Sequence, residues 1–292
     1  MVYKYKNYCK SIDHNIIKLY DQGKSFSEIG RILNIDRRAI RYALRKVGRV
    51  GKSYRENRGY IINELCFDEI NEESAYWIGF LMADGYISSA KNCVRLDLQQ
   101  GDYKHIEKFK KFVGGNQKIY YIDRKSTPNS NKVFKHAVFC FNSSHIVNVL
   151  TKYHFDSNKT LTAKTHNIFI NNRDYFRGLI DGDGCLVMYR QGKYVKFQIT
   201  LTGTLEICQS FNEFVHRIIN DLPNTTIKKR KNIYEIVYSG RSAIKIIDLL
   251  YNNANIFLNR KKKIADRIYK QCLKQYGDMP QNVKIFHNKP QT

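Results

Sequence analysis

Two short runs of this sequence, YWIGFLMADGYI (76–87) and YFRGLIDGDGCL (175–186), superpose without a gap. Both end an apolar stretch in Asp-Gly: Asp84 before Gly85, and Asp183 before Gly184. Carboxylates are the side chains that hold hard cations. Two of them brought together repel unless a cation lies between. All-oxygen ligation favours Mg²⁺. Carboxylate-held Mg²⁺ in a basic protein suits hydrolysis of phosphodiesters by the two-metal route. The chemistry therefore depends on whether the fold brings Asp84 to Asp183.

The flanking residues supply a means. Gly79 matches Gly178, and Ala83 matches Gly182. Each pair is small-x-x-x-small on one face of a helix, the spacing that lets two helix backbones touch. Two such helices in one chain can pair across a pseudo-twofold axis. Asp84 and Asp183 then lie near their C-terminal ends, at one end of the contact. Motif two also holds Asp181, where motif one has Met82.

The segments after each motif repeat as well. Strand-like NCVRLDLQQ and YVKFQITLTG precede helix-like DYKHIEKFKKFVGG and TLEICQSFNEFVHRII. Strand pairs come next: KIYYID with KHAVFCFNS, and TIKKRK with YEIVYSG. Each half closes on a helix, SHIVNVLTKY or RSAIKIIDLLY, and a basic stretch, SNKTLTAK or LNRKKK. Internal self-similarity on this scale marks a duplicated unit, here αββαββα.

Ahead of the repeats, Ser25 and Glu28 have capping-box spacing and start a helix. Asn34, tolerant of the left-handed region, should end it, and Asp36 starts another. Gly30, Asn34 and Ile40 fit the close crossing, turn and lock of a helix-turn-helix, and DHNIIKLYDQGK supplies its first helix. Arg37, Arg38, Arg41 and Arg45 form the exposed side of the last helix, able to reach phosphates or guanine edges. This unit resembles those of resolvases and phage regulators.

Composition narrows the class. The chain has 292 residues, 42% of them hydrophobic, and 50 Lys and Arg against 26 acids, a formal charge of +24. Such a single-sign field calls for a polyanionic partner. Seven scattered cysteines make no C-x-x-C pair, which argues against zinc ribbons and disulfide frameworks. An EF-hand starting at Asp181 would need Gly near 186 and Glu at 192, where Leu186 and Gly192 stand. No apolar run reaches the roughly 18 residues of a membrane span, and the N-terminus lacks a signal core. An intracellular, cytoplasmic protein is expected.

The two motifs resemble the LAGLIDADG motif, and residues 71–275 look like a monomeric, double-motif LAGLIDADG homing endonuclease. The expected fold is α+β: two pseudo-symmetric αββαββα repeats whose antiparallel sheets form a DNA-binding saddle, after an all-α helix-turn-helix domain. The expected boundaries are 1–48 for the helix-turn-helix, 49–70 for a linker, 71–165 and 166–275 for the repeats, and 276–292 for a tail.

The resemblance implies that Asp84 and Asp183 bind Mg²⁺, two or more divalent ions being shared between two active sites. Each site would cut one strand of double-stranded DNA, leaving 3′ overhangs. It also implies a polar residue near the attacking water, Gln100 in half one and Thr202 in half two. A basic residue should polarise each site, Lys159 in one half and Arg260 or Lys261 in the other. Asp181, Gly85 and Gly184 are second-tier positions, and a metal-linked Asp181 would make the two sites unequal. Intron RNA is the alternative partner, as for a splicing maturase, and a cleavage-dead DNA-binding regulator is a further reading.

Overall fold

The computed structural model describes residues 10–22, 24–46, 60–125, 132–155 and 159–277. They fall into two compact units, divided between Gly59 and Tyr60.

The first unit holds α1 (Lys10–Asp21), α2 (Phe26–Leu33) and α3 (Arg37–Lys46). Ser25 and Glu28 close a reciprocal capping box at the start of α2: Ser25 Oγ accepts from Glu28 N at 3.2 Å, and Glu28 Oε2 accepts from Ser25 N at 2.7 Å. Asn34 ends the helix at φ 50°, ψ 47°. A Cβ on Gly30 would stand 2.9 Å from the Ile35 carbonyl oxygen and 3.6 Å from Ile40 Cδ1. The small residue is therefore what lets the turn fold back. Ile16, Tyr20, Ile29, Ile40, Ala43 and Leu44 make its core.

In the second unit the motif helices are α4 (Glu72–Asp84) and α8 (Arg173–Asp183). Asn71 and Asn172 start them, each Oδ1 accepting two backbone N–H groups of the first turn at 2.9–3.0 Å. Residues Ala75 to Leu81 of α4 are wholly buried. A helix covered on all sides needs no polar face, which is why YWIGFLMA has no amphipathic period.

After α4 come β1 (Gly85–Ser88), β2 (Cys93–Gln99), α5 (Tyr103–Phe112), β3 (Tyr120–Lys125), β4 (Val133–Asn142) and α6 (Ser144–Lys152). The short helix α7 (Lys159–Thr162) leads to the second repeat. There α8 precedes β5 (Gly184–Gln191), β6 (Tyr194–Gly203), α9 (Leu205–Ile218), β7 (Lys228–Arg230), β8 (Ile233–Ser239) and α10 (Gly240–Tyr251). A final α11 (Asn259–Tyr276) completes the described chain. The sheets have matching antiparallel orders, β1-β2-β4-β3 and β5-β6-β8-β7.

In each sheet alternate residues turn into one shared core. Val94, Leu96 and Leu98 of β2 do so, as do Phe197, Ile199 and Leu201 of β6. The intervening Arg95 and Asp97, and Gln198, Thr200 and Thr202, face the open side.

Residues 60–70, expected as linker, belong to this second unit. Phe67 is fully buried against Phe112, and Tyr60 Oη accepts from Asn142 N at 2.7 Å. YIINELCF is mostly apolar but has no regular period to mark an element; only the receiving surface reveals its place. Helix α11 runs on to Tyr276, one residue into the expected tail.

Candidate active site

The two motif helices touch at backbone distance. A Cβ on Gly79 would overlap the Tyr175 carbonyl oxygen, and one on Gly178 would overlap that of Tyr76. Further along, a Cβ on Gly182 would collide with Cβ of Ala83 and lie 3.5 Å from Asp84 Oδ2. Glycine is thus required at Gly79 and Gly178 by the opposite backbone. At Gly182 the contact draws the last turns together and sets Asp84 beside the other helix.

Asp84 and Asp183 are the last residues of α4 and α8. Both keep accessible surface, yet protein crowds them on the inner side. That loss of hydration is the main cause that lifts both carboxyls. For Asp183 the charge of Asp84 adds to it, and its pKa reaches about 6. Lys159 and Lys261 oppose the rise at both aspartates.

Lys159 and Lys261 do something the sequence does not disclose. Lys159 Nζ donates to the carbonyls of Leu81, Met82 and Ala83 at 2.9, 2.6 and 2.6 Å. Lys261 Nζ donates to those of Ile180, Gly182 and Gly184 at 2.5, 3.3 and 2.6 Å. Each ammonium spends all three N–H donors on the end of a motif helix, where backbone N–H partners run out after the Gly85–Leu81 and Gly184–Ile180 bonds and the helix dipole is negative. The lysines hold the backbone that carries the aspartates. Burial lowers both to about 8, against the pull of nearby carboxylates.

Arg260 is exposed and donates from Nε to Asp102 Oδ2 at 2.9 Å. Its charge also helps to hold down Asp84.

Asp181 does not share the accessible position of Asp84 and Asp183, and its burial lends nothing to a metal-linked Asp181 that would make the two sites unequal. Its side chain is fully buried and accepts from Tyr251 Oη at 2.6 Å, Tyr76 Oη at 2.7 Å and Leu258 N at 2.7 Å. Tyr76 Oη also lies 3.0 Å from His105 Nε2. The carboxylate ties α4, α10 and the start of α11 to α8. Met82 in the first repeat is simply buried.

Gly85 and Gly184 owe their place to close packing rather than to a left-handed backbone. Their φ values are −79° and −88°, ordinary extended backbone. A Cβ there would stand 2.7 Å from the Leu81 carbonyl oxygen, or 2.6 Å from that of Ile180. Glycine is needed because the strand leaves tightly over the helix end.

Gln100 and Thr202 are not counterparts. Gly85 pairs with Leu96 and Gly184 with Leu201, so the residue matching Thr202 is Asp97. Gln100 is exposed in the 3₁₀ turn Gln100–Asp102, past the end of β2. The two positions fall out of step because the β1–β2 hairpin is shorter than β5–β6.

Asp97 anchors a cluster on the open face of the first sheet. Its carboxylate accepts from Arg95 at 2.7 Å and from Arg124, and its Oδ1 is 2.8 Å from His136 Nδ1. Three strands thus contribute to one polar group. The alternation in CVRLDLQ places Arg95 and Asp97 on one face, but their partners are long-range.

Arg37 is exposed at the start of α3. Arg38, Arg41 and Arg45 lie on the same helix, with side chains outside the described residues.

Among the described residues no group of three or more His, Cys, Asp or Glu could hold a metal ion, and no helix is long and apolar enough to cross a membrane. No protein-family model and no curated protein matches the sequence. Solved structures do. LAGLIDADG homing endonuclease I-GzeII in complex with its DNA target is 15% identical, covering 72% of this chain and 92% of that one, with TM-score 0.50. LAGLIDADG meganuclease I-AabMI bound to uncleaved DNA is 13% identical, covering 71% and 92%, with TM-score 0.45. I-SmaMI bound to uncleaved DNA in the presence of calcium ions is 13% identical, covering 72% and 93%, with TM-score 0.46. Over about seven-tenths of its length, this chain has the LAGLIDADG homing endonuclease fold.

Proposed function

We propose that the protein is a site-specific DNA endonuclease that cuts both strands of a long recognition site with divalent metal and leaves 3′ overhangs. The observation that carries this reading is the meeting of Asp84 and Asp183 at the paired ends of α4 and α8, where the two sheets begin. The net charge of +24 supplies the attraction to a polyanion.

The donor set fits Mg²⁺. Two hard carboxylates converge, each short of hydration, and the charge of Asp84 works against ionisation of Asp183. Mg²⁺ is commonly held by one or two carboxylates, with water and substrate phosphate completing its shell, so a larger protein cage is not required. When bound, the ion supplies activation of water and stabilisation of the leaving 3′ oxygen. Asp84 and Asp183 would be its protein ligands, one to each strand's site with sharing between them. Lys159 and Lys261 keep the aspartates' backbone in place. Arg260 and Asp102 add a charged pair near Asp84.

The open faces of both sheets would take the major groove, base edges being read by alternate side chains. The N-terminal three-helix unit would add a second DNA contact through Arg37, Arg38, Arg41 and Arg45 of α3. Intron RNA finds no support in the comparisons.

The test is cleavage of a randomised or genomic DNA library by purified protein with Mg²⁺, followed by sequencing of the ends. Discrete double-strand cuts abolished by EDTA are expected. A library left intact at every locus overturns the proposal.

A further inference from the structure

Two thiols meet on the open face of the first sheet. Cys93 opens β2 and Cys140 lies on β4, with Sγ–Sγ at 3.2 Å. The register makes them diagonal neighbours, since Cys93 pairs with Asn142 and Arg95 with Cys140. Both are half-buried, so a small reagent can reach them. A disulfide is about 2.05 Å long, so closure requires an approach of only about 1 Å.

The local chemistry favours reaction at one sulfur. The Cys140 thiol hydrogen-bonds to Cys93 and, with Arg95 and Lys91 nearby, brings the Cys93 pKa down to about 7. Burial pushes Cys66 up to about 12 and Cys208 to about 11. Thiolate is the nucleophilic form. By register the positions matching Cys93 and Cys140 in the second sheet are Gln198 and Val237, so the pair belongs to one repeat only.

We propose that Cys93 and Cys140 form an oxidisable dithiol that a hydroperoxide converts into a disulfide between β2 and β4, and that a thiol reductant reopens. The Cys93 thiolate attacks one peroxide oxygen. The O–O bond breaks, water leaves after protonation, and Cys93 becomes the sulfenic acid. The Cys140 sulfur then attacks Cys93 Sγ, the S–O bond breaks, and a second water leaves with the Cys140 proton. Two thiols and one hydrogen peroxide thus give one disulfide and two waters, the peroxide being reduced as the sulfurs are oxidised. Diagonal neighbours in a sheet are farther apart than directly opposed ones, and a bond made there is readily reduced. The bridge acts as a switch.

One consequence rests on the proposed function: DNA seated on this face covers the pair and slows its oxidation. The test treats full-length protein with hydrogen peroxide, blocks free thiols by alkylation and maps peptides without reduction. Expected is a cross-link of the Cys93 and Cys140 peptides, two hydrogens lighter than their sum and absent after treatment with dithiothreitol. In Cys93→Ser protein, Cys140 should stay alkylatable. Cys93 and Cys140 still alkylated to the same extent as exposed Cys185, or Cys93 ending as sulfinic acid beside a free Cys140, overturns the dithiol. Repeating the reaction with duplex DNA bound, as verified by gel shift, should slow cross-linking several-fold. An unchanged rate overturns DNA on this face and leaves the dithiol standing.

Discussion

Asp84 Oδ2 lies 3.5 Å from the point that a Cβ on Gly182 would occupy, so a carboxylate of one motif helix borders a glycine of the other. Any side chain on Gly182 pushes against Ala83 and enters the space around Asp84. Overpacking of this kind costs about 1–3 kcal/mol. Gly182→Ala should lower the melting temperature by a few degrees and reduce cutting. Gly79→Ala and Gly178→Ala should destabilise more, because rigid backbone carbonyls stand in the way. Thermal unfolding of the three variants checks the order.

Asp84→Asn and Asp183→Asn should each reduce double-strand cutting by at least about 10²-fold, the size expected when several kcal/mol of metal-assisted stabilisation is removed. Binding should survive, because a repulsion between the two carboxylates is relieved. Plasmid linearisation alongside gel-shift affinity checks both. Full activity in either variant would refute the metal-ligand assignment. Asp181→Asn should instead appear as reduced stability, since it breaks a fully buried network.

The raised pKa of Asp183 sets a pH dependence. Its folded value of about 6 lies above the ordinary 3.8 of an aspartate. Between those values the folded chain binds more protons than the unfolded one, so this group's contribution to stability falls as pH rises through that window. A metal held by Asp183, as proposed, must displace that proton. Below pH 6 apparent metal affinity should drop about tenfold per unit, and Mg²⁺ should stabilise the protein more at pH 7 than at pH 5. Melting curves with and without Mg²⁺ at the two pH values test this.

Lys261→Met should cost more stability than Lys159→Met, because Lys261 is only 2% exposed. Each takes the ammonium from three carbonyls; Leu81 and Ile180 keep the backbone N–H of Gly85 and Gly184, and a buried carbonyl left without a donor costs about 1–3 kcal/mol. Chemical denaturation measures the difference. Equal, negligible losses would contradict the helix-end role.

Deleting residues 1–48 should weaken DNA binding and flatten its salt dependence by about 0.9 for every phosphate no longer neutralised, with the cleavage chemistry retained. Affinity measured across a salt series, with strand cutting at saturating protein, reads both. An unchanged salt slope would remove the DNA-binding role from α3.

Much of the architecture is legible in the residue order because it rests on local rules. The duplicated αββαββα order comes from apolar spacing and a repeated glycine pattern. The Ser25–Glu28 capping box and the left-handed Asn34 come from neighbouring residues and backbone sterics. The contact of Gly79 with Tyr175 and of Gly178 with Tyr76 realises a spacing visible in each helix.

Residue order alone specifies which helices can pair and which residues stand at their ends. Packing between distant segments specifies the rest. Asp181 and Asp183 look alike in DGDG, but their different helical positions turn Asp181 into a pocket of Tyr76, Tyr251 and Leu258 while Asp183 stays at the surface. Register shows Asp97 to be the match of Thr202, because hairpin length shifts every later position. Lys159 and Lys261 find their carbonyls 76 to 81 residues away. Cys93 and Cys140 meet across 47 residues. Side-chain type sets what a group can do, and the folded chain sets what it meets.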